Sequence, residues 1–164
     1  MILRVNPNRM ELLRLRRRLI LAKRGHKLLQ DKLEEMMRRL LFLIKDIDQA
    51  KEDFQQKTKS IMQDLLYCRV TSPRVDLEEA FSKIESRVTL SISTARIMNV
   101  RAPVLNIEKL QIEKSYDFLK TTAQLDLVVA ASRGYIQSLL RLAQLLKTLD
   151  ILSYEIERTR RRVN

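Results

Sequence analysis

The chain has 164 residues, a net charge of +12, and only two Gly, three Pro, one Cys, one His and no Trp. Abundant Leu, Arg, Lys and Glu make this the composition of a long-helix protein, and 5% aromatic residues are too few for a large globular core. One Cys and one His exclude an intramolecular disulfide framework, a cysteine-only zinc site, a His-based metal cluster and a Ser/His triad with a spare base.

No run of about 18 uncharged apolar residues is present, so no transmembrane helix is expected. Leu40–Ile44 spans five residues. The first residues lack an apolar signal core followed by a small-residue cleavage site. These features, with the single Cys68, predict a cytoplasmic, soluble protein. The excess charge is unevenly placed. Residues 1–30 hold nine Lys/Arg and one Glu, residues 158–164 hold four Arg and no acid, and the stretch between is neutral overall.

In chain order, Asn6-Pro7-Asn8 is a helix-start signal. The stretch that follows dominates the sequence. Leu12, Leu15, Leu19, Ala22, His26, Leu29, Leu33, Met36, Leu40, Leu43, Ile47, Ala50 and Phe54 recur every three and four residues, and only His26 is not apolar. That spacing averages 3.5 residues and predicts the seam of a left-handed coiled coil. His26 is expected in the seam beside a close-packed Gly25. Glu34 with Arg38 and Glu35 with Arg39 are acid-before-base pairs four apart that support the helix. After Phe54 the seam falls on Lys57 and resumes with a shifted phase at Ile61 and Leu65. Thr71-Ser72-Pro73 ends the helix, because the residue before Pro is pushed out of the α region. A helix over about residues 8–70 would be roughly 90 Å long at about 1.5 Å rise per residue, and needs a partner along its length.

Residues 74–112 form a middle segment. Val75 to Ser86 reads as a short helix. Val88, Leu90 and Ile92 alternate with polar residues, which predicts a strand, and Ile97 to Val104 gives a second, noisier alternation. Ser93 to Arg96 contains no Gly, so the expected hairpin turns loosely there rather than through a tight primed turn. Pro103 is expected on a free edge or at a strand end.

Over residues 116–164 the helical seam returns at Leu125, Val128, Ser132, Tyr135, Leu139, Leu142, Leu146, Leu149, Leu152, Ile156, Thr159 and Val163. The step 146-149-152 reads as a stammer. The fold class predicted is mainly α: a long antiparallel two-helix coiled coil, with a short helix and a small β-hairpin between the helices, in one elongated domain. If the turn-round joins Tyr67 to about Lys120, equal counting places Asn164 near Lys23. Both charge excesses then meet, while Leu12, Leu15 and Leu19 face nothing.

Catalytic chemistry finds no foothold. Gly25 and Gly134 stand alone, so there is no Gly-rich phosphate loop. Glu34-Glu35 and Glu78-Glu79 are adjacent in sequence and read as solvated charges. Cys68 reads as a small apolar residue near a helix end. No cofactor and no metal are expected. The basic ends carry the signal: Arg14, Arg16, Arg17, Arg18, Lys23, Arg24 and Lys27, with Arg158, Arg160, Arg161 and Arg162. A solvated helix face is one reading, although charge concentrated at the two ends is hard to explain by solubility alone, and two functional readings also fit. One is a basic coiled-coil nucleic-acid-binding or adaptor protein neutralising phosphates, although no aromatic interleaves with Arg14–Arg18 as a stacking platform. The other is a protein socket of acidic or helix-terminal groups.

The stretch NPNRMELLRLRRRLILAKRGHKLLQDKLEEMMR, Asn6 to Arg38, resembles the N-terminal helix of the D subunits of V-type (A/V-type) rotary ATPases, which are central-stalk components. SISTARIMNVRAPVLNI, Ser91 to Ile107, resembles that family's middle segment, and EIERTRRRVN, Glu155 to Asn164, its C-terminal helix. The resemblance covers the whole chain in order. It implies a non-catalytic rotor shaft that passes torque between ATP hydrolysis or synthesis and ion transport. Its implied partners are the catalytic A and B subunits of the hexamer, the small F subunit of the stalk and the funnel-shaped subunit on the membrane ring. No small-molecule substrate is implied, and the location is cytoplasmic, peripheral to the membrane through the complex. The basic residues named above would face the hexamer. Ile84, Val88, Leu90, Ile92, Ile97, Val100 and Val104 would lie in the stalk-partner half. Family members normally run beyond the RRRVN motif, so measured against the resemblance this chain is expected to lack the family's C-terminal tail.

Overall fold

Two long helices bracket a hairpin. A computed structural model of the chain describes residues 8–98, 100–117 and 121–164, with all side chains but that of residue 114. The order is α1 (Arg9–Thr71), α2 (Arg74–Ser82), β1 (Ile84–Ile97), β2 (Val100–Lys114) and α3 (Ala123–Val163). The expected signal at Asn6-Pro7, Asn99 of the noisier alternation and the turn-round at Lys120 lie outside the described residues. The chain divides into two compact units, one of Met1–Leu41 with Leu152–Asn164 and one of Phe42–Ile151. Among the described residues no helix is long and apolar enough to cross a membrane.

α1 starts where the Asn8 carbonyl accepts from the Leu12 amide at 3.1 Å. Its 63 residues contain no proline, and Pro73 follows its end. Glu35 bonds Arg39 at 3.1 Å and also lies 3.6 Å from Arg38, the residue expected to pair with Glu34. Such exposed pairs contribute only a few tenths of a kcal/mol each, about 0.3–0.5. Thr71 Oγ1 donates to the Tyr67 carbonyl at 2.8 Å, and the Ser72 amide to the Cys68 carbonyl at 3.0 Å, closing the last turn.

The seam of α1 follows the predicted spacing from Leu29 to Phe54, every member half-buried or buried. Two details differ. His26 is exposed and Gly25 half-buried, with open space where a Cβ would stand, so Gly25 is not close-packed. Further on, Thr58 and not Lys57 takes the seam. The step 50-54-58 is then 4-4, and apolar counting misses it because the residue is a hydroxyl. Thr58 Oγ1 donates to the Phe54 carbonyl at 2.7 Å, so its burial leaves no polar atom unmet. Leu12, Leu15 and Leu19 are exposed, as expected.

In the unit Phe42–Ile151 the two long helices run antiparallel. Ile61, Leu65 and Cys68 pack in one cluster with Leu125, Val128 and Val129, and Phe54 meets Tyr135. The rising numbers of one helix match the falling numbers of the other. Leu77 and Ala80 of α2, Tyr116, Ile84 and Ile112 complete that core. The seam of α3 shifts relative to expectation. Leu139 and Leu146 are exposed, while Ser138 and Thr148 are buried. The buried line therefore passes through 138 and 148 and not through the 139 and 146 of the apolar count. Ser138 Oγ donates to the Tyr135 carbonyl at 2.8 Å and Thr148 Oγ1 to the Gln144 carbonyl at 2.8 Å. Tyr116, placed by periodicity near the start of this helix, precedes it, and α3 begins at Ala123.

The middle segment needs a larger correction. α2 stops at Ser82, and Ile84 to Ser86 belong to a strand. The strands are 14 and 15 residues long, and their register runs from Ile84↔Lys114 to Ile97↔Val100. Only residues 98 and 99 lie between the strands, so the connection is short and not the loose turn expected at Ser93–Arg96. Met98 has φ 55°. A non-Gly residue in the left-handed region supplies the reversal, so the lack of Gly does not force a loose turn. The register slips between Thr89 and Leu90, where Glu108 is the extra residue of a bulge. The bulge also explains why β2 reads poorly. It spaces Ile107 and Leu110 by three and so breaks the period of two.

Pro103 lies inside β2, opposite Thr94. Its ring removes an amide that the ladder does not need. The Leu105 amide, two residues on and pointing to the same side, donates to Gln144 Oε1 of α3 at 3.1 Å, away from β1. Pro103 thus sits on the free edge, as expected.

Candidate interaction surfaces

The basic residues of α1 are exposed from Arg14 to Lys27. At 3.6 residues per turn, Arg14, Arg17, Arg18 and Arg24 share one side of the helix, and Arg16, Lys23 and Lys27 another. Arg158, Arg160, Arg161 and Arg162 of α3 are likewise exposed. All eleven belong to one compact unit. Three have carboxylate partners on their own helix: Arg14 with Glu11 at 3.7 Å, Arg158 with Glu155 at 3.2 Å and Arg161 with Glu157 at 3.4 Å. The other eight have no ion pair among the described residues. The unit therefore presents a strong positive potential to whatever approaches it.

The hairpin belongs to the other unit, and its register sorts the seven apolar residues predicted for it into two faces. Ile84, Val88, Leu90 and Ile92 share one face with Ile112, Leu110, Ile107 and Leu105 of β2, the last three being the direct partners of Val88, Leu90 and Ile92. Ile97, Val100 and Val104 lie on the opposite face. Val100 is buried together with Ala102, Ile97 and Val104 are half-buried, and Ile84 joins the core. Val88, Leu90 and Ile92 are the exposed ones, Ile92 at 71%. Only these three of the seven offer a free apolar surface.

Sequence reasoning passed over two further residues. Arg96 and Arg101 are cross-strand partners on the Ile92 face, one pair from the end of the ladder. Both are exposed, and neither has an ion pair among the described residues. Like charges placed directly opposite destabilise a sheet. Centring the hairpin on residues 98 and 99 finds the pair at once, whereas a turn at Ser93–Arg96 hides it.

An open apolar groove of about 600 Å³ lies between the end of α1 and α2, floored by Leu65, Cys68 and Leu77. Cys68 is fully buried there, and burial pushes its thiol above the ordinary range, opposed by a hydrogen bond with Thr122. A thiol so placed is a poor nucleophile. Tyr116 is buried, and its Oη donates to Asp126 Oδ1 at 2.6 Å. Burial raises the phenol's pKa well above its usual value, and the bond to the Asp126 carboxylate and that group's charge raise it further. Among the described residues no group of three or more His, Cys, Asp or Glu could hold a metal ion.

With this geometry in hand, comparison with known proteins decides the family. The family model for the D subunit of ATP synthase matches residues 11–164. The chain belongs to the family of ATP synthase D subunits. The V-type ATP synthase D subunit of Acetivibrio thermocellus is 39% identical, over 99% of this chain and 75% of its own length. Those of Clostridium novyi and Clostridium botulinum are 36% and 37% identical, over 99% of this chain and 77% of theirs. In this member of the ATP synthase D subunits, both basic clusters and the hairpin lie inside the matched residues.

Proposed function

We propose that the chain is the non-catalytic central-stalk rotor subunit of a V/A-type rotary ATPase, passing torque between the catalytic A/B hexamer and the ion-translocating membrane ring. The observation that carries this reading is the match to the ATP synthase D subunits along almost the whole chain, joined to two long antiparallel helices. A packed helix pair resists twisting better than a single helix because side chains interlock along the seam. The exposed arginines from Arg14 to Arg24 and from Arg158 to Arg162, with Lys23 and Lys27, would face the hexamer's inner surface. There, charge-assisted contacts to acidic and helix-terminal groups can grip without a deep pocket. The hairpin half would hold the small F subunit of the stalk and dock on the funnel-shaped subunit. The catalytic chemistry would belong to the hexamer, with the chain located at the membrane only through the complex.

A tagged pull-down from the native cell extract at physiological salt, with and without nuclease, tests the proposal by mass spectrometry. Recovery of both hexamer subunits and a small stalk protein, unaffected by nuclease, is the expected result. Recovery of nucleic acid with ribosomal or chromatin proteins, lost on nuclease treatment, would overturn it in favour of a basic coiled-coil nucleic-acid binder.

A further inference from the structure

The hairpin register opposes two like-charge pairs, Glu85–Glu113 and Arg96–Arg101; Arg87 lies 3.3 Å from Glu85 and offsets the first, so the uncompensated pair is Arg96–Arg101. The two guanidinium groups stem from directly opposed positions on one face, both exposed, with no carboxylate paired to either among the described residues. A hairpin selected only for its own stability would carry opposite charges there. The same face continues along β1 into exposed Ile92, Leu90 and Val88, and reaches the buried core at Ile84. Charge at the tip and apolar side chains behind it thus form one strip, continuous with the interior.

We propose that this strip docks an acidic, amphipathic protein segment whose carboxylates bridge Arg96 and Arg101 while its apolar side chains cover Val88, Leu90 and Ile92. The assignment rests on reading the hairpin as a stalk-partner surface, and it supplies that partner's chemistry. A bidentate carboxylate between two arginines turns their repulsion into attraction. A protein segment fits better than an anionic bilayer. The arginines stand nearer the hairpin tip than the apolar residues, so a flat membrane approached tip-first meets charge before it meets Ile92. A segment lying along β1 meets both at once.

The test uses the full chain in its native complex. Charge reversal in R96E/R101E keeps the like-charge pairing and so leaves hairpin stability nearly unchanged. The single variant R96E creates an opposite-charge pair and raises the free chain's Tm. Both are expected to weaken capture of the small stalk protein at least 10-fold in the tagged pull-down, with helicity intact, whereas K45E/K51E, exposed on α1 and outside both proposed surfaces, leaves that capture alone. Carbodiimide coupling of the R96K/R101K variant is expected to link positions 96 and 101 to Asp or Glu of a captured subunit. Should wild type capture the complex and R96E/R101E capture it equally, this inference falls and the rotor reading stands. Should wild type capture no ATPase subunit, both fall. Co-sedimentation of the purified chain with phosphatidylserine vesicles, abolished by R96E/R101E while subunit capture persists, would overturn the inference in favour of a lipid surface.

Discussion

Phe54 of α1 and Tyr135 of α3 place their ring centroids 5.2 Å apart, tilted by 31°. The contact joins the two long helices in a chain with only four Phe and four Tyr. Both side chains are half-buried. Phe54→Ala is expected to cost about 1.5–3 kcal/mol, below the range for a fully buried Phe. A double-mutant cycle with Tyr135→Ala should return a coupling of about 0.5–1.5 kcal/mol. Urea denaturation followed by helical circular dichroism measures it. Strict additivity would mean that the rings touch without helping each other.

The corrected phase of α3 makes a contrast among leucines. Leu125 is fully buried, and Leu125→Ala is expected to lose about 2–5 kcal/mol. Leu146 fits the apolar period of the sequence yet is 47% exposed, so Leu146→Ala should stay within about 1 kcal/mol of wild type. Thermal melts of the pair distinguish the two phases, because the apolar period alone predicts similar losses at both sites.

Tyr116 links stability to alkaline pH. The folded chain holds its proton more tightly than the unfolded chain, through burial first and Asp126 second. As pH rises past the ordinary tyrosine value of about 10, the unfolded state releases that proton and the folded state does not. The contribution is therefore whole below about pH 10 and falls above it, by at most about 1.4 kcal/mol per pH unit. Tyr116→Phe should remove this part of the slope, while costing about 1–2 kcal/mol at neutral pH for the lost bond to Asp126. Denaturation midpoints at several alkaline pH values would show it, and parallel curves for variant and wild type would sink the assignment.

Met98 holds φ 55° at the hairpin connection. Asparagine tolerates the left-handed region better than methionine does. Met98→Asn is expected to stabilise the chain by roughly 0.5–1 kcal/mol, and Met98→Val to destabilise it by about as much or more. Equal melting temperatures for all three chains would contradict the strained connection.

Much of this fold is legible in the sequence, because a 3.5-residue apolar period and flanking prolines leave few alternatives to paired long helices. Legibility fails where a rule of apolarity meets a satisfied hydroxyl. Thr58, Ser138 and Thr148 occupy seam positions by bonding carbonyls of their own helices, so a count of leucines settles on exposed Leu139 and Leu146. It fails again in the hairpin. A rule that looks for glycine overlooks Met98, and the Glu108 bulge scrambles the alternation that marks β2. The interaction surfaces are half visible. Clustered arginines announce themselves in the sequence, but the opposition of Arg96 and Arg101 exists only once the register is known.

The inward-facing hydroxyls of α3 have a consequence for how freely the helix could be exchanged. Ser138 and Thr148 donate back into their own backbone, so they ask nothing of α1. A polar seam residue that needed a matching group opposite would act as a lock with a single key. Here the seam at those positions tests volume alone. A chimera carrying α3 from a relative should pair with this α1 wherever the sizes agree, even where the identities do not.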